Sequence, residues 1–556
     1  MKEKLWNIPF VDKDISEILK RELGIGELLA SVLSSRGINT PEKAERFLKP
    51  SLKYMTSPYI FSDMKKSTQL LSQSILKNTP IGIFGDADAD GISSAAVITL
   101  FLKDFGYKNI IWRIPSRDKE GYGLTKDFVE ECAVKNVKTL IITDCGAKNH
   151  KEIKYAKELG IETIVCDHHL IDTHNPPQAF AVLHPQLISE RTGLDYLSGT
   201  GVAFELVVGL RRELENIGRS IPDPKNYLDI VSLGTIGDMV PLVEDNRIFV
   251  KKGIDNLNNL GLRKISEMIK EQMGQAKLKS EDFRMKIVPR INSAGRTGDP
   301  SISFKLLTCD IPKEVDELSK DLEQRNSERK KITEEIMQEI ETKFKFDEER
   351  FSYVLWGSDW QEGVLGLVAT RIVEKTSKPV CLLSAKNDIA KGSLRSPEFL
   401  DIYRVLERVS PILLKFGGHR YAAGIVLETK RIEEFSEILE NEIRRILPKQ
   451  FKPIENADAE VNLESVTKKE VEELENLEPF GEGNEKPTFI ANAYIQESKV
   501  VGKEEKHLRI SIKGKDCLLS AIGFDMADKP LIDRKKIVLR YKNEFGYDFE
   551  LLDVIR

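Results

Sequence analysis

The 556-residue sequence predicts an α/β fold: a doubly wound parallel-sheet domain, a long bridging helix, a second smaller α/β domain and a C-terminal β-barrel. Three observations carry this prediction. Between residue 81 and about residue 310, short apolar runs alternate with helical spacing, the rhythm of βαβ units. Lys313–Phe346 contains neither Gly nor Pro, and Val315, Leu318, Leu322, Ile332, Ile336 and Ile340 fall near helical spacing. A helix of that length suits a bridge between two lobes better than a single core. Residues 488–556 break into five short strand-like runs separated by Gly and Lys turns, as in a small barrel.

Taken in order, residues 1–75 read as a polar helical segment with no legible chemistry. Residues 76–310 form the first α/β domain, 311–350 the bridging helix, 351–448 the second α/β domain and 449–556 the barrel domain, entered through a Pro-containing linker, Lys449–Asn456. The expected strands of the first domain are Ile81–Phe84, Asn109–Arg113, Thr139–Thr143, Thr163–Cys166 and Phe180–Leu183, with a helix over Ile92–Phe105. Those of the barrel are Thr488–Ile495, His507–Ile512, Leu518–Ile522, Ile537–Tyr541 and Phe549–Val554.

Hydrophobic residues make up 40% of the chain and charged residues 31%, the balance of a globular protein with real cores. No apolar stretch approaches the ~18 residues of a membrane span, and the N-terminus lacks the apolar core of a secretory signal. The six cysteines are scattered without a C-x-x-C pair, which points to a reducing, cytoplasmic setting and away from structural zinc. A net charge of -5 gives no global pull on nucleic acid, so a polyanionic partner needs a locally basic cleft.

The chemistry begins at Asp86-Ala87-Asp88-Ala89-Asp90-Gly91. This acidic comb sits directly behind an apolar strand and ahead of a helix, where α/β folds place their ligands. One such Asp is more often a helix cap, but three in five residues repel one another unless a cation neutralises them. Further groups stand at the ends of apolar runs: Asp144 after Leu140–Thr143, Asp167-His168-His169 after Ile164–Cys166, and Asp238 after Leu228–Ile236. In a parallel sheet the carboxyl ends of the strands share one edge, so these groups are expected to converge. Carboxylates mixed with imidazole suit a pair of divalent ions, Mn²⁺ more comfortably than Ca²⁺. Five of the seven histidines lie between His150 and His184. Of these, His150, His174 and His184 read by default as surface or packing residues, and Cys145 and Cys166 as filling apolar space.

The ordered set Asp-x-Asp-x-Asp-Gly, Asp144-x-Gly146, Asp167-His168-His169 and Gly234-Thr235-Ile236-Gly237-Asp238 resembles the DHH phosphoesterases. Downstream, Pro289–Arg296 (Pro-Arg-Ile-Asn-Ser-Ala-Gly-Arg), Gly363–Gly366, Gly392-Ser393-Leu394-Arg395-Ser396, Gly417-Gly418-His419 and Leu477–Asn484 narrow the likeness to the RecJ family of single-strand-specific 5′ exonucleases. The resemblance runs from about residue 80 to near the C-terminus. It implies a DHH catalytic domain, a DHHA1-like substrate-binding domain and an OB-fold.

By that resemblance Asp88, Asp90, Asp144, His168 and Asp238 would hold two divalent ions, Mn²⁺ or Mg²⁺, with Asp144 as the bridge. Asp86 and His169 would bind or orient beside them, and His169 could instead touch the scissile phosphate. DNA near its 5′ end would be held by Gly392, Ser393, Arg395, Gly418 and His419, with Arg117, Arg290, Asn292 and Arg296 assisting. Lys503, Lys506, His507 and Arg509 mark a basic entrance to the barrel. Tyr494 is the only aromatic between residues 490 and 520, so backbone tracking with little base selectivity is expected there. The implied activity is hydrolysis of single-stranded DNA from the 5′ end with release of 5′-mononucleotides in DNA repair and recombination, by a monomer working beside a single-strand-binding protein and a helicase.

Three departures from the family pattern stand out. Ala87 replaces a frequent aromatic, Gln361-Glu362 replace a frequent His-Pro, and Gly237 replaces a commoner Ala. None removes an expected ligand. Two alternatives remain: a DHH phosphodiesterase for short oligonucleotides or cyclic dinucleotides, and a non-catalytic DNA-binding scaffold. The tail after residue 450 argues against the first, and retention of every expected ligand against the second.

Overall fold

The computed structural model describes residues 5–189, 192–215, 220–274, 277–447, 454–502, 504–528 and 531–555. The first domain is built on five parallel strands: β1 (Ile81–Gly85), β2 (Ile110–Arg113), β3 (Thr139–Thr143), β4 (Glu162–Cys166) and β5 (Ala181–Leu183), ordered β2-β1-β3-β4-β5. β1 and β3 are buried along their whole length, which is why they are continuous apolar runs without alternation. Helix α1 (Ala89–Asp104) starts three residues earlier than its apolar spacing predicts, because Asp88 caps it, accepting from the N–H groups of Asp90 and Gly91. The acidic comb therefore straddles a strand end, a cap and a first turn. Helices α2 (Gly199–Leu214) and α3 (Leu228–Gly237) pack on α1, and Asp238 is the C-terminal cap of α3.

Beyond helix α4 (Val288–Thr297) and a short helix at Ser301–Thr308 comes α5 (Pro312–Lys343), the expected long helix, whose 32 residues span about 48 Å. The chain divides into two compact units. The division falls within α5, after Ser319, and within α4, after Asn292.

The smaller unit holds a five-stranded sheet of β6 (Tyr353–Gly357), β7 (Val380–Lys386), β8 (Ile389–Arg395), β9 (Lys415–His419) and β10 (Ala422–Glu428), ordered β9-β10-β8-β7-β6. Only β6 and β7 pair in parallel, joined by α6 (Glu362–Thr376).

In the larger unit the C-terminal strands are β11 (Ala459–Asn462), β12 (Thr488–Val501), β13 (His507–Lys513), β14 (Leu518–Gly523), β15 (Asp533–Glu544) and β16 (Tyr547–Ile555). β12 pairs with β15 through residues 488–495 and with β13 through 495–501, bending at an irregularity between Ile495 and Glu497. The circuit β12-β13-β14-β16-β15 thus closes into a five-stranded barrel, with β11 added in parallel beside β12.

The N-terminal residues depart from the polar reading. Positions 28–34 of the helix Glu27–Ser35 are all buried, and Leu28, Leu29, Val32 and Leu33 share one apolar core with Leu508, Ile510, Leu539 and Phe549 of the barrel. The two ends of the chain build one hydrophobic core together. Part of the linker Lys449–Asn456 (449–453), and Lys503, lie outside the described residues.

Candidate metal centre

Three of the ligand groups hang from the carboxyl edge of the sheet, as parallel strands require. Asp86 follows β1, Asp144 follows β3 and Asp167 follows β4. Gly91 permits the turn: a Cβ there would lie 2.6 Å from Asp86 Cα, so only glycine lets α1 start this close to β1. Asp144 has φ +57°, a left-handed conformation that an aspartate adopts at some cost and that marks functional turns.

Ligand atoms converge in three interlocking groups, each within 4.8 Å: Asp86, Asp88 and Asp144; Asp90, His168 and Asp238; and Asp144, His168 and His169. His168 Nε2 lies 3.3 Å from Asp144 Oδ1, 3.4 Å from Asp238 Oδ2 and 3.7 Å from Asp90 Oδ2. Asp144 Oδ1 and His168 Nε2 are buried without a hydrogen-bond partner among the described residues. Burial, with the neighbouring carboxylates, pushes Asp144 and Asp238 well above the usual carboxylate range. Burial also lowers His168, keeping the neutral imidazole that binds metal. Orphaned acceptors, crowded carboxylates and a neutral imidazole are the donor set of a divalent cation site.

Arg117, expected to assist in holding DNA, faces the acidic comb. Its Nη2 donates to Asp86 Oδ2 at 2.5 Å and to Asp88 Oδ2 at 2.8 Å. Burial still raises Asp86 despite this pairing, whereas for Asp88 burial is the largest single influence but the guanidinium, the Gly91 N–H bond and His169 together outweigh it and hold the carboxyl low.

Asp167 is the organiser of its turn. Its Oδ1 accepts from the N–H groups of His168 (2.7 Å) and His169 (3.1 Å) and faces His169 Nδ1 at 2.9 Å, while Oδ2 accepts from Ala147 N–H. These bonds outweigh burial and keep Asp167 ionised far below the usual range. With its Nδ1 proton on Asp167, His169 presents Nε2 to the Tyr122 hydroxyl at 3.1 Å.

The sequence reading missed the clamp on Asp90. Gly199 N–H (2.7 Å), Thr200 N–H (3.0 Å) and the Thr200 hydroxyl (2.6 Å) all donate to its carboxylate. The legible signal was Ser198-Gly199-Thr200-Gly201 at a helix start, a concentration of free N–H groups. Tyr122 and His184 were also missed. His184, read by default as a surface or packing residue, is fully buried against His169.

Elsewhere in this unit Arg290 is buried and donates to Lys286 O at 2.8 Å, and Asn292 Oδ1 is buried without a partner among the described residues. In the smaller unit Arg296 donates to Gly363 O at 2.9 Å, and Gln361, in place of the family's His, is the N-terminal cap residue of α6. Strand register gathers the remaining expected residues there. Gly417, Gly424 and Ser393 form one row, and His419, Ala422 and Arg395 the next but one. A Cβ at Gly366 would lie 3.1 Å from Arg395 Cζ and 3.3 Å from Ser393 Oγ, so that glycine makes room for a guanidinium beside a hydroxyl. Burial lowers Arg395, whose Nη1 donates to the adjacent Leu394 carbonyl at 3.0 Å.

On the barrel, strand pairing sets two further aromatics beside the basic entrance. Phe524 lies 5.3 Å from the His507 ring and 5.6 Å from Lys542 Nζ, and Tyr547 lies 5.9 Å from the Arg509 guanidinium. Both aromatics come from outside the 490–520 window.

Comparison with known proteins agrees with this architecture. Residues 80–235 match the DHH family N-terminal domain, 349–445 the DHHA1 domain and 457–545 the RecJ OB domain. The chain is 31% identical over 560 residues to the single-stranded-DNA-specific exonuclease RecJ of Haemophilus influenzae, covering 95% of this chain and 96% of that protein. It is 30% identical to the Bacillus subtilis protein of the same name, covering 94% of this chain and 66% of that protein. The crystal structure of RecJ in complex with Mn²⁺ from Thermus thermophilus superimposes with a TM-score of 0.83 at 25% identity, covering 100% of this chain and 80% of that one. The chain belongs to the RecJ family of DHH-domain exonucleases.

Proposed function

We propose that the chain is a Mn²⁺- or Mg²⁺-dependent exonuclease that enters single-stranded DNA at its 5′ end and releases 5′-mononucleotides. The observation that carries this reading is the trio of interlocking ligand groups at one sheet edge, with buried Asp144 and His168 atoms left unbonded. Asp86, Asp88, Asp90, Asp144, His168 and Asp238 would hold two ions, with Asp144 between them. Two bound divalent ions supply an acidified water and charge stabilisation for an in-line phosphodiester displacement. Gly199 and Thr200 orient the Asp90 carboxylate. Asp167 fixes the His169 ring through Nδ1, leaving Nε2 on the Tyr122 hydroxyl, and His169 would bind or orient beside the ions.

In the smaller unit Ser393 and Arg395 would grip a DNA phosphate, with Gly392, Gly418 and His419 lining the approach and Arg296 supporting it; in the larger unit Arg117, Arg290 and Asn292 would assist in holding DNA. Arg395→Ala is expected to raise KM for single-stranded DNA about 10- to 100-fold, the loss of charge-assisted bonds of about 1.5–3 kcal/mol. The kcat is expected to change far less, and steady-state kinetics on a 5′-labelled oligonucleotide reads both. A monomeric state, partnership with a single-strand-binding protein and a helicase, a cytoplasmic location and roles in repair and recombination belong to the same proposal. They rest on family resemblance and, for the compartment, on six unpaired cysteines. No described helix is long and apolar enough to cross a membrane.

The deciding experiment incubates the protein with Mn²⁺ and single-stranded DNA labelled at either terminus. Immediate appearance of labelled mononucleotide from the 5′ label alone is expected. Binding without hydrolysis in either Mn²⁺ or Mg²⁺ would favour the scaffold, and cleavage confined to very short oligonucleotides the phosphodiesterase.

A further inference from the structure

His184 lies outside every motif that marks the centre, yet the sheet delivers it there. β5 pairs with β4 in the register Ile164–Ala181, Val165–Val182 and Cys166–Leu183, and Asp167 N–H continues the ladder to Leu183 O at 3.2 Å. One residue further, His184 stands level with the Asp-His-His turn. Asp63 anchors the edge strand, its carboxylate accepting from Val182 N–H at 2.9 Å.

The His184 ring is 0% exposed, and both of its nitrogens are used by backbone groups. Gln186 N–H lies 3.1 Å from Nδ1, and Nε2 lies 2.7 Å from the His169 carbonyl oxygen. An N–H can only donate and a carbonyl can only accept. The neutral ring with its proton on Nε2 is therefore the one form that satisfies both contacts. A ring protonated on both nitrogens would set N–H against N–H, and the opposite tautomer would break both bonds. Burial independently lowers the ring's proton affinity.

We propose that His184, held as its Nε2–H tautomer, is a positioning residue that pins the His169 carbonyl and so sets the geometry of the His168-His169 turn. Asp167 holds that turn from inside through its N–H groups, and His184 holds it from outside through its carbonyl. Neither touches the reacting phosphate. Such outer partners of ligating histidines typically carry 10- to 100-fold in metal affinity or activity. The activity arm of the test rests on the exonuclease reading, whereas the metal-binding and tautomer arms do not.

Three measurements on the full chain decide it. His184→Leu keeps much of the volume and loses both hydrogen bonds. It is expected to weaken Mn²⁺ binding, read by calorimetry, about tenfold or more, and to lower kcat on single-stranded DNA by about 10- to 100-fold with KM changed less than about threefold. His184→Gln places an amide N–H where Nε2 stands and is expected to recover both quantities to within about threefold of the parent. Nitrogen-15 spectra of histidine-labelled parent protein are expected to show His184 as a single Nε2–H tautomer between pH 6 and 8, a readout that needs no variant to fold. Leu retaining parental Mn²⁺ affinity, Gln falling as far as Leu, or a Nδ1–H resonance would each overturn the proposal. A parent protein that binds Mn²⁺ but leaves DNA intact would overturn the exonuclease reading alone, with affinity and tautomer still deciding the role of His184.

Discussion

Asp144→Asn is expected to abolish hydrolysis while making the metal-stripped protein more stable. Asp144 belongs to two of the three ligand groups and is fully buried at a left-handed backbone position. Loss of about 10³-fold or more in kcat/KM is expected, equivalent to ~4 kcal/mol of transition-state stabilisation. Single-stranded DNA binding, read by fluorescence anisotropy, should persist because the Ser393–Arg395 lobe is untouched.

The stability effect has the opposite sign because burial and the carboxylates of Asp90, Asp88, Asp238 and Asp86 all disfavour an ionised Asp144. Asn removes that charge in a similar shape, and in chelator near pH 8 the melting temperature should rise by roughly 2–4 °C, about 1 kcal/mol on a domain scale. The same cause fixes the pH dependence. The folded-state pKa values of Asp144 and Asp238 are raised, so the folded chain binds more protons than the unfolded one. Their contribution is fully present below the ordinary carboxylate value of 3.8 and is lost as pH rises through the raised values. Chelated parent protein should therefore lose melting temperature with rising pH across that window. Mn²⁺ at a hundred times its Kd should restore ~2.7 kcal/mol. A flat profile in chelator, together with a lower melting temperature for Asp144→Asn, would refute the account.

Arg247→Leu is expected to be the most destabilising single change outside the metal centre. This guanidinium is buried and its nitrogens donate to Phe47 O (2.7 Å), Leu477 O (2.9 Å), Glu478 O (2.9 Å) and Pro479 O (3.3 Å). It also stacks 3.8 Å from the centroid of the Phe47 ring. Desolvation pulls its pKa down to about 9, a cost that the nearby Glu478 charge offsets in part and that the four carbonyls and the ring help to meet. Arg247 thus ties the N-terminal helices and the Leu477–Asn484 segment to the first α/β domain. Leu would strand several buried carbonyls at once, costing about 3–5 kcal/mol in urea unfolding. Lys supplies a charge but only three donors on a flexible stem, and should recover less than half of the loss. Retention of the parental unfolding midpoint by Arg247→Leu would show that the junction does not depend on this residue.

The Leu477–Asn484 motif acquires its meaning here. Read along the chain it only leads into the barrel, but in three dimensions it is a dock. Leu242 N–H donates to Glu482 O at 2.7 Å, and the Ser280 hydroxyl to Phe480 O at 2.6 Å. Asn484 donates to Leu477 O and Pro479 O, and Arg36 from the N-terminal helices reaches Asn484 Oδ1 at 2.6 Å.

By itself the sequence determined the parallel domain, the long helix, the barrel strands and the ligand candidates Asp86, Asp88, Asp90, Asp144, His168 and Asp238. These are local signals: apolar runs mark buried strands, helical spacing marks helices, and a parallel sheet turns every strand's carboxyl end toward one edge. Only the tertiary structure decided that Arg117 faces Asp86 and Asp88, that Gly199 and Thr200 clamp Asp90 from 109 and 110 residues away, and that His184 holds the Asp-His-His turn. It alone also joined residues 28–33 to the barrel core. Each of these is a pairing between distant segments. Hydrogen-bonding capacity is written in the residue type, but the partner that uses it is selected by packing, which leaves no periodic trace along the chain.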